Sequence, residues 1–251
     1  MASTTVGIGA FPAHRQGDRR AILICVVVIW AVILTGFGYD MIRTTAAGKS
    51  LNYPLIVHAH ALAYGGWLVL LGAQVWLMRT GQAALHRRLG MLLLLLWPMM
   101  LILGPAVVIS LNTAKAVIKP EWLSFKSTQF TNVLGASVLI IAGFLARGDG
   151  ATHKRLMLMG TIAITEPGFS RVIADPISAL LGDGYWQYYL ATYVGTLTLM
   201  LAVGAYDLIS RQRLHPAWII AFFWVLANEC LASWLYYQPF WLGWMRELTG
   251  H

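Results

Sequence analysis

The chain has 251 residues, of which 58% are apolar and only 11% charged, against about 25% charged in a soluble domain. So few polar groups cannot cover a water-facing surface, so lipid is the expected solvent, and no hydrophilic stretch is long enough for a second domain. The net charge of +8 sits in short turns between apolar runs. That is the pattern of membrane topology rather than of a nucleic-acid footprint, and it leaves membrane lipids, not nucleic acid, as the surrounding partner.

Residues 1–20 read as a polar cytoplasmic tail with a basic cluster before the first apolar run, which lacks a small-residue cleavage motif after it and is expected to be a retained helix. A spanning helix needs about 20 mainly apolar residues. Seven stretches qualify: Ala21–Gly38, Leu55–Met78, Leu89–Leu111, Phe130–Ala146, Leu156–Leu181, Tyr185–Tyr206 and Ala217–Tyr237. The fold class is therefore all-α: a seven-helix transmembrane bundle over residues 21–237, followed by an outer C-terminal tail at 238–251. Cys25 and Cys230 both lie inside apolar runs and read as packing residues.

The tail and the turns after spans 2, 4 and 6 hold Arg15, Arg19, Arg20, Arg79, Arg87, Arg88, Arg147, Lys154, Arg155, Arg211 and Arg213. The opposite side holds only Arg43, Lys49, Lys115, Lys119, Lys126 and Arg246. This bias places the N-terminus in the cytoplasm and the C-terminus outside. Trp122, Trp186, Trp234, Trp241 and Trp244 then fall at the outer interface, as an aromatic belt would.

The basic turns repeat. Arg79-Thr-Gly-Gln-Ala-Ala-Leu-His86-Arg-Arg-Leu joins spans 2 and 3, and Arg147-Gly-Asp-Gly-Ala-Thr-His153-Lys-Arg-Leu joins spans 4 and 5. A fainter copy, Arg211-Gln-Arg-Leu-His215-Pro, joins spans 6 and 7. The expected architecture is one helix followed by three antiparallel hairpins. In the plain reading the cations anchor the hairpins in the headgroups and the histidines ride along. In the sharper one His86 and His153 face one another across a cofactor. Pro98, Pro105, Pro167 and Pro176 lie within spans, where each frees a backbone carbonyl and can kink a helix beside a cavity.

Two groups of residues could carry chemistry. His58 and His60 open span 2, but two positions along a helix is about 200° of rotation, so they do not share a face. His60 continues a stripe through Tyr64, Trp67, Leu71 and Gln74 and is the better functional candidate. Glu166 and Glu229 lie near the middle of spans 5 and 7, where a charged group costs about 2.5–3.5 kcal/mol on insertion scales. Arg171 and Asp175, four apart, are expected to pair on one helical face. Together with His60, these residues would line a polar cavity in the outer half of the bundle. Imidazole and carboxylate ligands (His58, His60 and Asp175) suit a transition metal, although no metal motif is present. A haem b held by two histidines would have to use His86 and His153, with Arg87, Arg88, Lys154 and Arg155 near for its propionates.

The stretch from Pro54 to Gly90 resembles a family of uncharacterised bacterial multi-helix membrane proteins, largely from proteobacteria. Their second helix reads His-x-His…Trp…Gln and is followed by a basic turn ending Leu-His-Arg-Arg-Leu-Gly. His58, His60, Trp67, Gln74, Leu85, His86, Arg87, Arg88, Leu89 and Gly90 match that pattern. Gly36 to Tyr39 and Arg43 extend the match, and His153-Lys-Arg-Leu extends it more weakly. The His-Arg turn is also similar to histidine-bearing membrane proteins that assist haem-copper oxidase assembly. The resemblance implies a multi-pass protein of the bacterial inner membrane and points at His58, His60 and His86; it supplies no reaction.

Three functional readings follow, in this order. The first is a metal- or haem-associated protein of redox or oxidase-assembly type. The second is a membrane-embedded enzyme on a lipid-soluble substrate such as a quinone or isoprenoid, with Glu166 and Glu229 as acid and base. The third is a transporter or a non-catalytic subunit of a respiratory or photosynthetic complex.

Overall fold

The computed structural model describes Phe11, Arg15 and residues 17–113 and 119–251. Most of the expected tail, and Lys115, lie outside the described residues. Among those described, every regular element is a helix. α1 (Asp18–Ala46) and α2 (Leu55–Arg79) are followed by a short α3 (Ala83–Gly90) leading into α4 (Leu93–Thr113). α5 (Pro120–Ser124) runs into α6 (Lys126–Leu145), and a 3-10 turn at Ala146–Gly148 leads to α7 (Gly150–Ile164) and α8 (Glu166–Leu181). α9 (Tyr185–Arg211), α10 (Pro216–Tyr236) and α11 (Pro239–Thr249) complete the chain.

Among the described residues, six helical runs are long and apolar enough to cross a membrane: α1, α2, α3–α4, α5–α6, α9 and α10. The expected fifth span is different. It is split at Thr165 into α7 of 15 residues and α8 of 16. Pro167 has no N–H to continue the ladder of α7, so it fits only in the first turn of a new helix. The Thr165 hydroxyl donates back to the Ile162 carbonyl at 2.6 Å and closes the end of α7. The two pieces keep different company: α7 packs on α6 and α10, whereas α8 packs on α9 and α1.

Of the three expected hairpins, α2 lies against α4 and α6 against α7. The third is looser. After Gln212, which takes a left-handed turn at φ 56°, the chain extends through His215, and α10 packs mainly on α6 and α7 rather than on α9. The largest core cluster draws Ile29, Trp67, Trp97, Met100, Ile140, Met159, Met200 and Ala221 from α1, α2, α4, α6, α7, α9 and α10. Residues 238–251, read as a tail, hold α11. Its Trp241 and Met245 are buried against Leu123 of α5, and the Trp241 indole donates to the Ser124 carbonyl at 3.1 Å.

The bundle has two distinct ends. At the basic end Arg19 donates to the Arg79 carbonyl at 3.3 Å and Arg79 to the Arg19 carbonyl at 3.0 Å, tying the start of α1 to the end of α2. Asp149 caps α7 by accepting from Ala151 and Thr152, and the His215 ring caps α10 by accepting from Ala217 at 3.0 Å. The aromatic end stacks Tyr188 on Tyr236 at 4.2 Å and Tyr185 beside Tyr237 at 6.0 Å.

α1 and α8 meet backbone to backbone at Gly36 and Gly168, small residues that allow helices in lipid to approach closely. A methyl at Gly36 would collide with the Gly168 carbonyl, and one at Gly168 would lie 2.8 Å from Ile33 Cδ1. Gly36→Ala is therefore expected to destabilise the protein by about 1–3 kcal/mol, the usual cost of overpacking. Gly38→Ala, where a methyl meets nothing within 4 Å, is the control. Thermal unfolding in detergent should show a lower midpoint for the first substitution and no loss for the second.

Candidate functional site

The break at Thr165 delivers Glu166 to the interior. Its residue is 2% exposed, and its Oε1 has no hydrogen-bond partner. The Ser170 hydroxyl, one turn on, donates to the Pro167 carbonyl at 3.5 Å. Glu229 on α10 is 5% exposed and accepts a hydrogen bond from the Tyr189 hydroxyl at 3.0 Å. Tyr188 and Tyr193, also on α9, both share the Thr128 hydroxyl of α6, at 2.7 and 3.1 Å. Tyr193 is within electrostatic reach of both carboxylates, and the carboxylates of each other. Ser127 and Ser233 add buried hydroxyl oxygens with no partner.

Beside Glu229 lies a cavity of about 10 Å³, lined among others by Thr128, Thr131, Asn132, Tyr193 and Asn228. That volume holds one water, and the lining offers it polar partners. Gly135 makes the space: a side-chain methyl there would stand 2.9 Å from Asn228 Cγ. The α6, α8, α9 and α10 segments thus combine two carboxylates, three phenols and several hydroxyls, an arrangement able to give and take protons without bulk water.

Other residues singled out from the sequence lie elsewhere. Arg171 and Asp175 do not pair with each other. Each turns to α1, Arg171 to Asp40 at 3.6 Å and Asp175 to Arg43 at 2.8 Å. Arg171 also donates to the Pro167 carbonyl at 2.7 Å and covers the Phe37 ring at 4.2 Å. Helical spacing permitted the intrahelical pair, but the Gly36–Gly168 contact brings α1 close enough to offer each charge its own partner. His58 is exposed. His60 stacks on Tyr64 at 4.1 Å beside α4, where the Tyr64 hydroxyl donates to the Met100 carbonyl at 3.2 Å. His58, His60 and Asp175 therefore do not form one ligand set. No group of three or more His, Cys, Asp or Glu residues converges among the described residues.

His86 and His153 do meet. Their rings are 6.2 Å apart, centre to centre, and nearly perpendicular. His153 Nδ1 lies 2.8 Å from the Gly143 carbonyl, an acceptor, so that nitrogen is the donor. Arg87 is exposed beside this pair.

The sequence reading missed an ion network at the basic end. Asp18 accepts from Lys154, from Arg211 at 2.7 Å to each oxygen, and from the Tyr206 hydroxyl at 2.9 Å. Asp207 accepts from Arg155, with the Nε bond at 2.7 Å. Asp18, Arg155 and Asp207 are 2%, 4% and 1% exposed. The signal was the acids Asp18, Asp149 and Asp207 among cationic helix ends, and counting only Lys and Arg for topology passes over it. Phe11 lies 4.6 Å from the Arg155 guanidinium and 4.4 Å from the His215 ring.

No family model, no curated protein and no solved structure matches the chain.

His215 gives a pH test of this end of the molecule. Burial, then the Arg155 charge, hold its imidazole below the ordinary value of 6.5. The folded protein therefore resists a proton that the unfolded chain accepts, so stability is lost as pH falls below about 6.5. His215→Asn keeps a capping acceptor and removes the titration. Melting curves between pH 8 and pH 5 should show a steeper acid-side fall for the unsubstituted protein than for the variant.

Proposed function

We propose that the chain is a seven-crossing protein of the bacterial inner membrane with an acid–base site for a lipid-soluble substrate of quinone or isoprenoid type. The seventh crossing is α7 and α8 taken together. At 1.5 Å per residue the pair is about 48 Å long, beyond the ~30 Å hydrocarbon core. The bias of Arg and Lys towards the basic end orients that end to the cytoplasm. Glu166 and Glu229 then lie in the middle and outer part of the bundle.

The observation that carries the reading is the Glu229–Tyr189 hydrogen bond beside a water-sized polar cavity, in helices otherwise built for lipid. Carboxylates in such a position are costly and mark functional sites. Asn132 and Asn228 line the cavity and are only half-buried, so a polar head could reach Glu229 from the bilayer between α6 and α10. There Glu229 and Tyr189 exchange a proton with the substrate, and Tyr193 links that exchange to Glu166.

A photoreactive quinone in vesicles containing the full chain is the test. Labelling is expected on α6 near Asn132 and on α10 near Asn228. It should fall at least tenfold in Gly135→Leu, which fills the window, and in Glu229→Gln. Labelling that ignores both substitutions would remove this reading.

A second reading, haem or a metal ion between His86 and His153, is favoured by the spacing of the two rings. The two ring centres are 6.2 Å apart. The residues fit two-point ligation, with Arg87 and Arg88 near for acidic substituents. A bound metal would supply one-electron chemistry. None of the cavities described is lined by either ring, which leaves this reading second. A reduced-minus-oxidised spectrum with metal quantification decides it. Absorption or metal lost in His86→Ala and His153→Ala, and kept in His60→Ala, supports ligation; a colourless, metal-free protein refutes it.

A further inference from the structure

A recess of about 690 Å³ opens at the basic end, apart from both sites. Gly17, Arg19, Arg20, Trp76, Arg79 and Thr80 line it, where the start of α1 meets the end of α2. The last carbonyls of a helix have no intrahelical partner. Arg19 takes the one at Arg79, and Arg79 reaches back to the Arg19 carbonyl. This exchange holds two guanidinium groups at one recess, each with five N–H donors of which a carbonyl takes one. Exposed Arg20 brings a third.

No carboxylate answers these three charges. All 10 acids of the chain are among the described residues, and only Asp18, Asp149 and Asp207 belong to the basic end. Asp18 is taken by Lys154, Arg211 and Tyr206, and Asp207 by Arg155 and Arg211. Asp149 is taken by the first amides of α7 and the Thr152 hydroxyl. None of them is in ion-pair contact with Arg19, Arg20 or Arg79. Three cations held together repel one another, and an anion set among them removes that cost.

We infer that this recess seats the phosphate of an anionic membrane phospholipid. Its walls select a lipid over a soluble anion. Trp76 is 63% exposed, one turn before Arg79, and an indole beside a guanidinium marks the level where hydrocarbon gives way to headgroups. Further into the bundle, Ile24 lies one turn from Arg20 and Val69 two turns from Trp76, on the same helix faces. They are 58% and 62% exposed and give the acyl chains an apolar rail. The missing acid selects among lipids too. A zwitterionic head would bring its ammonium among three guanidinium groups, a like-charge contact that a phosphatidylglycerol head avoids. Basic pockets between transmembrane helices are the usual seats of anionic headgroups.

The full chain is reconstituted in phosphatidylcholine vesicles with a trace of photoreactive phosphatidylglycerol or photoreactive phosphatidylcholine, the reactive group near the glycerol. Phosphatidylglycerol is expected to label residues 17–24 and 76–80 in preference to phosphatidylcholine. Arg20 enters no hydrogen bond or ion pair among the described residues, so Arg20→Gln breaks no contact. It should lower the preference about fivefold, the weight of one cation near a membrane surface, and Arg20→Lys should keep it. Arg147→Gln removes an exposed arginine at the same end but outside the recess, and should leave the preference unchanged. Equal labelling by the two lipids, or a preference that survives Arg20→Gln or falls equally in Arg147→Gln, overturns the proposal. So does loss of the label to excess inorganic phosphate, which would assign the recess to a soluble anion.

Discussion

A carboxylate buried in hydrocarbon has to be satisfied by its neighbours, and four of them shape this bundle: Asp18, Glu166, Asp207 and Glu229, each no more than 5% exposed. The chain answers that constraint in two ways. At the basic end Asp18 and Asp207 are neutralised by Lys154, Arg155 and Arg211. Removing one member of such a set would strand a buried charge, which typically costs about 3–5 kcal/mol, so the network locks α1, α7 and α9 together. In the other half Glu229 is met by a phenol, and Glu166 keeps one carboxylate oxygen without a hydrogen-bond partner. Hydrogen bonds from neutral hydroxyls hold a carboxyl in place without committing its charge. The first pair of acids is held by opposite charges, whereas Glu229 is held by a neutral hydroxyl.

The discontinuity at Thr165 is what separates these two regimes along one stretch of chain. Before it, α7 carries Lys154 and Arg155 into the ion network and packs on α6 and α10. After it, α8 carries Glu166 inward and Arg171 and Asp175 outward to α1. A continuous helix would have had to face both sets of neighbours with one stripe. Breaking it lets each half choose its own, and it sets an acid at the junction, where Pro167 frees the local backbone.

Much of this was legible in the sequence. Six of the seven expected spans appear as helical runs of crossing length, because twenty apolar residues leave the backbone no alternative in lipid. Pro167 was readable as a kink, and the structure breaks the helix just before it, at Thr165. What was not legible was tertiary. Four-residue spacing proposed an Arg171–Asp175 pair, yet spacing along one helix says nothing about what a neighbouring helix offers. Gly36 and Gly168 lie far apart in sequence, and only their contact brings Asp40 and Arg43 within reach. The same holds for Tyr188, Tyr189 and Tyr193, whose partners Thr128 and Glu229 come from other helices. Asp207 was hidden differently: within a positive-inside count an acid carries no weight, although here it is the centre of the cluster.

The histidines of the repeated turns show how one sequence signal divides into separate roles. His215 became a helix cap, accepting from Ala217. His153 is held by the Gly143 carbonyl, and His86 meets it edge to face. Along α2, His60, Trp67 and Gln74 each bury a polar atom that has no partner, seven residues apart on one face. In water such a stripe would be ordinary; in a bundle this apolar it is a line of unmet hydrogen bonds running between the two ends. Asp18, Asp207 and Glu229 are met by partners from other helices, whereas Glu166 Oε1 and the α2 seam are not.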